Sequence, residues 1–276
     1  MKFSNNAARV IVAVITIPLI LAVCYFGGIY FLIFAAAIAL TSFYEFTHFT
    51  RKKFTYVNYF FGFLFVAFLI INRYRTFVDD LFSAFLIYIV ILAVFELFRN
   101  KKSAIFNIGA TLLGSLYLGF AGASLIGIRE YFPHFTETLY RQGGYIIIAS
   151  FAGIWFCDTF AYYGGTALGK HKLFPRVSPN KSWEGAIFGF IGAMTALIAS
   201  KFLFLNFLHW DTIFVIGIII GTIGQIGDLF ESLLKRDAGV KDSSNIIPGH
   251  GGIFDRFDSL FLSAPVIYLC LKLLEG

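Results

Sequence analysis

The sequence predicts an all-α, polytopic integral membrane protein of about nine transmembrane helices, its polar site at the cytosolic side of the C-terminal half. Three observations carry that reading. Mean hydropathy is +0.79 and only 14% of the 276 residues are charged, too little polar surface to clothe a water-soluble fold. Apolar runs of membrane-spanning length recur from end to end. The runs are long and continuous rather than alternating, and hydrocarbon offers backbone amides no partner, so helices rather than a barrel must cross.

In chain order the expected spans are Val10 to Phe26, Ile29 to Phe46, Tyr56 to Ile71, Leu81 to Phe98, Ile105 to Ile128, Tyr145 to Leu168, Ala186 to Leu208, Ile213 to Leu229 and Phe257 to Leu274. Pro18 and Pro265 should kink two of them. The first run lacks a small-residue cleavage site, and Gly27-Gly28 leads straight into the next span, so a retained helix is expected in place of a signal peptide. Glycine becomes frequent from Gly109 onward, which favours close helix packing in the second half. Residues 1–103, rich in Phe, Leu and Ile, are expected to form a lipid-facing or homodimer-forming portion. Residues 104–276 should form the catalytic portion, with cytosolic loops at 166–185 and 230–256.

The net charge of +6 is a statement about orientation rather than about nucleic acid, which is not expected as a partner. Fourteen basic residues fall in the loops after spans two, four, six and eight, and eight fall on the opposite side if both tails are counted there. The expectation is a cytosolic face bearing the even loops, with both termini outside. Cys24, Cys157 and Cys270 lie in separate spans without metal-ligand spacing and read as small packing residues.

Three elements carry chemistry. Asp158, in "DTFAYYGG", is an ionisable group inside a span, which lipid penalises, so it should face the bundle interior or a wet cavity with Tyr162 on the same face. "SPNKSWEG", from Ser178 to Gly185, sets Lys181 just before a helix N-terminus, which already favours anions; alone, an interfacial Lys and Trp anchoring a helix would account for it.

The third element runs from Gly227 to Asp258. Asp228 closes one span and Asp255 opens the next, so the loop between them returns two carboxylates to one membrane face, while Asp255 and Asp258 can share a helix face. Hard carboxylate oxygens beside Lys235, Arg236, Lys241 and Arg256 are the groups that a magnesium-bound nucleotide needs, and Pro248, Gly249, Gly251 and Gly252 let backbone approach a ligand.

The run Ser232, Lys235-Arg236, Lys241-Asp242, Ser244, Ile247-Pro248, His250-Gly251-Gly252, Asp255-Arg256-Phe257-Asp258 resembles the C-terminal motif of the phosphatidate cytidylyltransferases, the CDP-diacylglycerol synthases, at every fixed position over 27 residues. The Asp158, Ala161, Tyr162, Gly165 pattern and the Ser178 to Gly185 segment are similar to that family in the expected order. Two positions depart from it: Ser182 stands where Thr is commoner, and Thr166 where a basic residue is expected, which removes any phosphate contact there.

The resemblance implies attack by the phosphate of phosphatidic acid on the α-phosphorus of CTP in a bacterial inner membrane. The nucleophile belongs to the lipid, so positioning and charge neutralisation are what the protein must supply. On that reading Asp228 and Asp255 hold Mg²⁺, with room for a second cation. Lys235, Arg236, Asp242, His250 and Asp258 belong to the catalytic centre. Ser178, Lys181, Lys241, Arg256, Asp158 and Tyr162 bind substrate, and CTP, phosphatidic acid and membrane lipids are the partners. Two alternatives stay open at this point: a CTP-dependent lipid kinase or cytidylyltransferase for another lipid, and a transporter using Asp158 in an ion path.

Overall fold

The computed structural model describes residues 5–244, 246 and 251–275, and within 5–13 the backbone alone. Helices α1 (Asn5–Phe26), α2 (Gly28–Thr50), α3 (Tyr59–Tyr74), α4 (Leu81–Phe98), α5 (Ala104–Arg129) and α6 (Glu137–Leu168) lead to an antiparallel hairpin, β1 (Lys172–Phe174) and β2 (Ser178–Ser182). Helices α7 (Trp183–Leu203), α8 (Trp210–Ile219), α9 (Gln225–Asp237) and α10 (Phe254–Leu274) follow. Among the described residues seven helices are long and apolar enough to cross a membrane, α8 and α9 counting as one span, Trp210–Asp237. Two shorter apolar helices, Val14–Phe26 and Tyr59–Tyr74, fall where the first and third spans are expected. The protein is an integral membrane protein.

Polar side chains punctuate the apolar runs. Asn58, Asp80, Ser103, Thr136 and Ser182 each accept from a backbone N–H in the first turn of the helix that follows, meeting donors the helix cannot satisfy itself. Small residues then set how closely the helices pack. A methyl group on Gly189 would sit 3.1 Å from Cys157 Sγ, and one on Gly192 2.7 Å from the Phe156 carbonyl, so α7 lies directly against α6.

Sequence and structure differ in three places. The eighth span does not end at Leu229: the helix continues to Asp237. Its last turns are polar but remain helical because Lys235 pairs with Glu231 one turn earlier, at 2.6 Å, and both are buried. Helix α2 has two faces, Phe31, Phe43 and Phe46 in the central core and Ile29, Tyr30 and Ile33 exposed, while α4 faces mainly outward, with 17% of its span buried.

The third difference concerns the termini. The N-terminal half of α1 lies at the end of the bundle where Asp228 and Asp255 are, because Thr16, Ile17 and Ile20 line a cavity with them. Helix α10 finishes at the other end, where Glu275 accepts from Thr212 Oγ1 at 2.5 Å and Leu271 O from Tyr131 Oη at 2.8 Å. The described chain thus starts and finishes at opposite ends of the bundle, whereas the sequence reading puts both termini on one side.

At that far end Arg129 is fully buried. It donates to the carbonyls of Cys24 at 2.8 Å, Tyr25 at 3.0 Å and Tyr140 at 3.0 Å, closing the C-terminus of α1 with a charge of the sign its dipole favours. Arg129→Ala leaves those acceptors unpaired beside a void and should cost about 3 kcal/mol. Thermal unfolding in detergent checks this, a midpoint equal to that of the parent protein being the contrary result.

Candidate active site

Two polar structures meet where α6, α7, α9 and α10 converge. The first is the hairpin between α6 and α7. Ser182 Oγ accepts from Gly185 N at 3.1 Å and starts α7, and Gly165 and Gly185 let the two helices touch there, a methyl on Gly185 lying 3.1 Å from the Gly165 Cα. Strand β2 thereby delivers Lys181 onto α9, where its Nζ forms an ion pair with Asp228. The hairpin, α6 and α9 enclose a cavity of about 490 Å³ lined by Asp158, Tyr162, Asn180, Lys181, Gln225 and Asp228 among others.

The second structure joins α9 to α10. Between α8 and α9 the chain makes a π-helical turn, Ile220–Gly224, and Gln225 Nε2 reaches back to Gly221 O at 2.6 Å and across to Ala186 O at 3.0 Å. Gly227 then packs on the first turns of α10, where a methyl would lie 2.8 Å from the Asp258 carbonyl, and this contact brings Asp228 beside Asp258. One turn further on, Lys235 bridges Glu231 and Asp255, at 2.6 Å to each. Asp255 also accepts from Ser243 N at 3.0 Å and Gly252 N at 2.7 Å, so with Lys235 both of its oxygens are engaged by the protein.

A second cavity, of about 620 Å³, opens here. One wall is apolar: Ile17, Leu19 and Ile20 of α1, Phe34 and Ile38 of α2, and Phe151, Ile154 and Trp155 of α6. The other is charged: Asp228, Lys235, Asp242, Asp255, Arg256 and Asp258. Asp158 and Asp228 line both cavities and form their common wall. Asp158, Asp228 and Asp258 lie close enough to repel one another, with Lys181 as a cation acting on both Asp158 and Asp258.

Among the described residues, no three carboxylate, imidazole or thiolate groups converge at the spacing of metal ligands. Carboxylate oxygens are the donors a hard cation takes, and at this junction Asp228 is held by the exchangeable Lys181 pair and a 3.5 Å contact from Ser232.

The sequence-predicted residues are not all gathered here. Asp158, Lys181, Asp228, Lys235, Asp242, Asp255, Arg256, Asp258 and Tyr162 line one or both cavities. Ser178, Arg236 and Lys241 line neither. Ser178 registers with Phe174 in the hairpin, and Arg236 holds that hairpin to α9 through the Val177 carbonyl at 3.3 Å while donating to Val240 O at 2.9 Å. His250 lies outside the described residues.

Sequence reasoning missed Glu45. This α2 carboxylate is completely buried and accepts from Ser243 Oγ at 2.9 Å, Ser244 Oγ at 2.5 Å, Ile253 N at 2.9 Å and Phe254 N at 2.8 Å. It thus fastens the site loop to the start of α10. Gly252 is pinned between them: a methyl there would lie 2.0 Å from Ser243 Oγ and 2.6 Å from the Glu45 oxygens.

A family model described as "Cytidylyltransferase family" matches residues 7–274. The chain belongs to the cytidylyltransferase family. A phosphatidate cytidylyltransferase of Brucella melitensis is 35% identical over 266 residues, 96% of this chain and 93% of its own length. Those of Haemophilus influenzae, at 34% with 93% and 95% covered, and Staphylococcus saprophyticus, at 32% with 95% and 98% covered, are similar over the same extent. Membership of this family makes the chain a nucleotidyltransferase.

Proposed function

We propose that the protein is a phosphatidate cytidylyltransferase of phospholipid biosynthesis, with the reaction centred on the wall that Asp158 and Asp228 share. A phosphate oxygen of phosphatidic acid bonds to the α-phosphorus of CTP, the bond from that phosphorus to the β-phosphate oxygen breaks, and CDP-diacylglycerol and pyrophosphate result. The observation that carries this is the pair of cavities with one common acidic wall. An amphiphile fits the larger, whose apolar wall takes acyl chain while Lys235 and Arg256 face its phosphate. A nucleotide fits the smaller, where Asn180 and Gln225 offer hydrogen bonds and Lys181 a cation for phosphate.

Mg²⁺ would be held by Asp228, and the geometry favours Asp258 as its second ligand, because Asp255 is already engaged by Lys235, Ser243 and Gly252. When bound, the ion neutralises phosphate charge and polarises the attacked phosphorus. The protein's own part is positioning: Lys181 leaves Asp228 for a phosphate oxygen, Lys235 offers its third N–H while still bridging Glu231 and Asp255, and the acidic wall orients both substrates around the transferred group.

We infer a cytosolic site in a bacterial inner membrane. With the described chain entering α1 from the site's end, Arg9 joins the fourteen loop residues on that side, fifteen against six opposite.

Two measurements test this. CTP labelled at the α-phosphorus, incubated with protein, phosphatidic acid and Mg²⁺, should leave its label in the lipid phase and release pyrophosphate. Label transferred only from the γ-position, with CDP released, would instead mean a kinase. Lys181→Ala should lower kcat/KM for CTP roughly thirtyfold, equivalent to about 2 kcal/mol for a charge-assisted contact. A value equal to that of the parent protein would remove Lys181 from the nucleotide site.

A further inference from the structure

A third cavity, of about 550 Å³, lies at the end of the bundle away from the catalytic carboxylates, between the C-terminal turns of α3 and α10 and the middle of α5. Its chemistry differs from that of an ordinary interfacial anchor. Two cations flank one ring: the Arg73 guanidinium lies 4.9 Å from the centre of Tyr268 and the Lys272 ammonium 5.2 Å from it. A basic side chain at a helix end normally reaches for water or headgroups. The Nε of Arg73 instead is buried and has no hydrogen-bond partner among the described residues. Arg73 Nε packs against Gly127 of α5, so the rest of the guanidinium, with the Lys272 ammonium, supplies the donors that line the cavity.

The rest of the lining says which anion. Phe120 and Leu269, both exposed toward the surrounding membrane, continue the cavity as an apolar wall, while Asp79 is the acid at its rim and leaves a positive balance. A fork of guanidinium donors matches phosphate oxygens, a neighbouring ammonium adds a point charge, and an adjoining apolar wall suits acyl chain.

The geometry points to a binding site for an anionic phospholipid at this far end, its phosphate between Arg73 and Lys272 and its chains along Phe120 and Leu269, separate from the substrate cavities.

Native mass spectrometry of the purified protein tests this, with phosphatidylglycerol as probe and phosphatidylcholine as the zwitterionic control. The protein should retain phosphatidylglycerol in preference, and Arg73→Ala/Lys272→Ala should weaken that binding roughly tenfold, equivalent to about 1.4 kcal/mol. Lys272 is exposed, so Lys272→Ala alone keeps the fold and should weaken it roughly threefold, or about 0.7 kcal/mol. Because the active site is untouched, CTP turnover should persist in Lys272→Ala. Equal retention of both lipids by the parent protein, or undiminished phosphatidylglycerol binding in the variants, overturns the proposal. A thermal-shift arm with inorganic phosphate separates the sources: stabilisation by phosphate equal to that by phosphatidylglycerol would mean a free-anion site and would also overturn it.

Discussion

Asp228→Asn should abolish almost all cytidylyl transfer, lowering turnover roughly a thousandfold, equivalent to about 4 kcal/mol of lost electrostatic stabilisation. Asp228 stands in the wall common to both cavities and pairs with the hairpin's Lys181. The amide keeps the shape while removing the charge that would hold a metal and set Lys181. Asp255 does not stand in for it, being occupied by Lys235, Ser243 and Gly252. Phosphate-transfer rates with purified, folded variant check this, and turnover within a few fold of the parent protein would remove Asp228 from the chemistry.

The second large effect is expected at a residue far from the family motif in sequence. Glu45→Ala removes a buried carboxylate from four donors on the site loop and the start of α10. Leaving buried hydroxyl and amide donors without their acceptor costs about 1–3 kcal/mol per group. The same change frees Ser243, which otherwise holds Asp255. Glu45→Ala should therefore lower the thermal midpoint and, at temperatures where the protein stays folded, also lower CTP turnover. Gly252→Ala forces the same elements apart from the other side and should reproduce both losses. An unchanged midpoint in Glu45→Ala would show that the latch carries no load.

The helical, membrane-spanning character was readable because a long apolar run in lipid has one backbone solution, and seven described helices are long and apolar enough to cross. The carboxylates at span ends were readable for the converse reason, that charge near hydrocarbon needs a purpose. That logic was applied to Asp158 but not to Glu45, which sits in "FYEFTHF" between aromatic residues and offers the same signal.

The end of α9 was hidden because Glu231 and Lys235 depress hydropathy while supporting the helix as a buried pair, so polarity there does not mean loop. Arg236 was assigned to phosphate from its place in the motif, yet in the structure it holds the hairpin. A basic residue's task depends on which way the helix turns it, and the π-helical turn at Ile220–Gly224, which fixes that rotation, leaves no hydropathy signature.

The account stands most directly on a cation seated at Asp228 between nucleotide and lipid. Mn²⁺ takes the same hard oxygen donors as Mg²⁺ and is visible by electron paramagnetic resonance, so its binding can be titrated in the presence of CTP. The parent protein should bind Mn²⁺ with CTP, Asp228→Asn should lose that binding, and Asp258→Asn should weaken it more than Asp255→Asn does. Binding in Asp228→Asn equal to that of the parent protein would contradict the account.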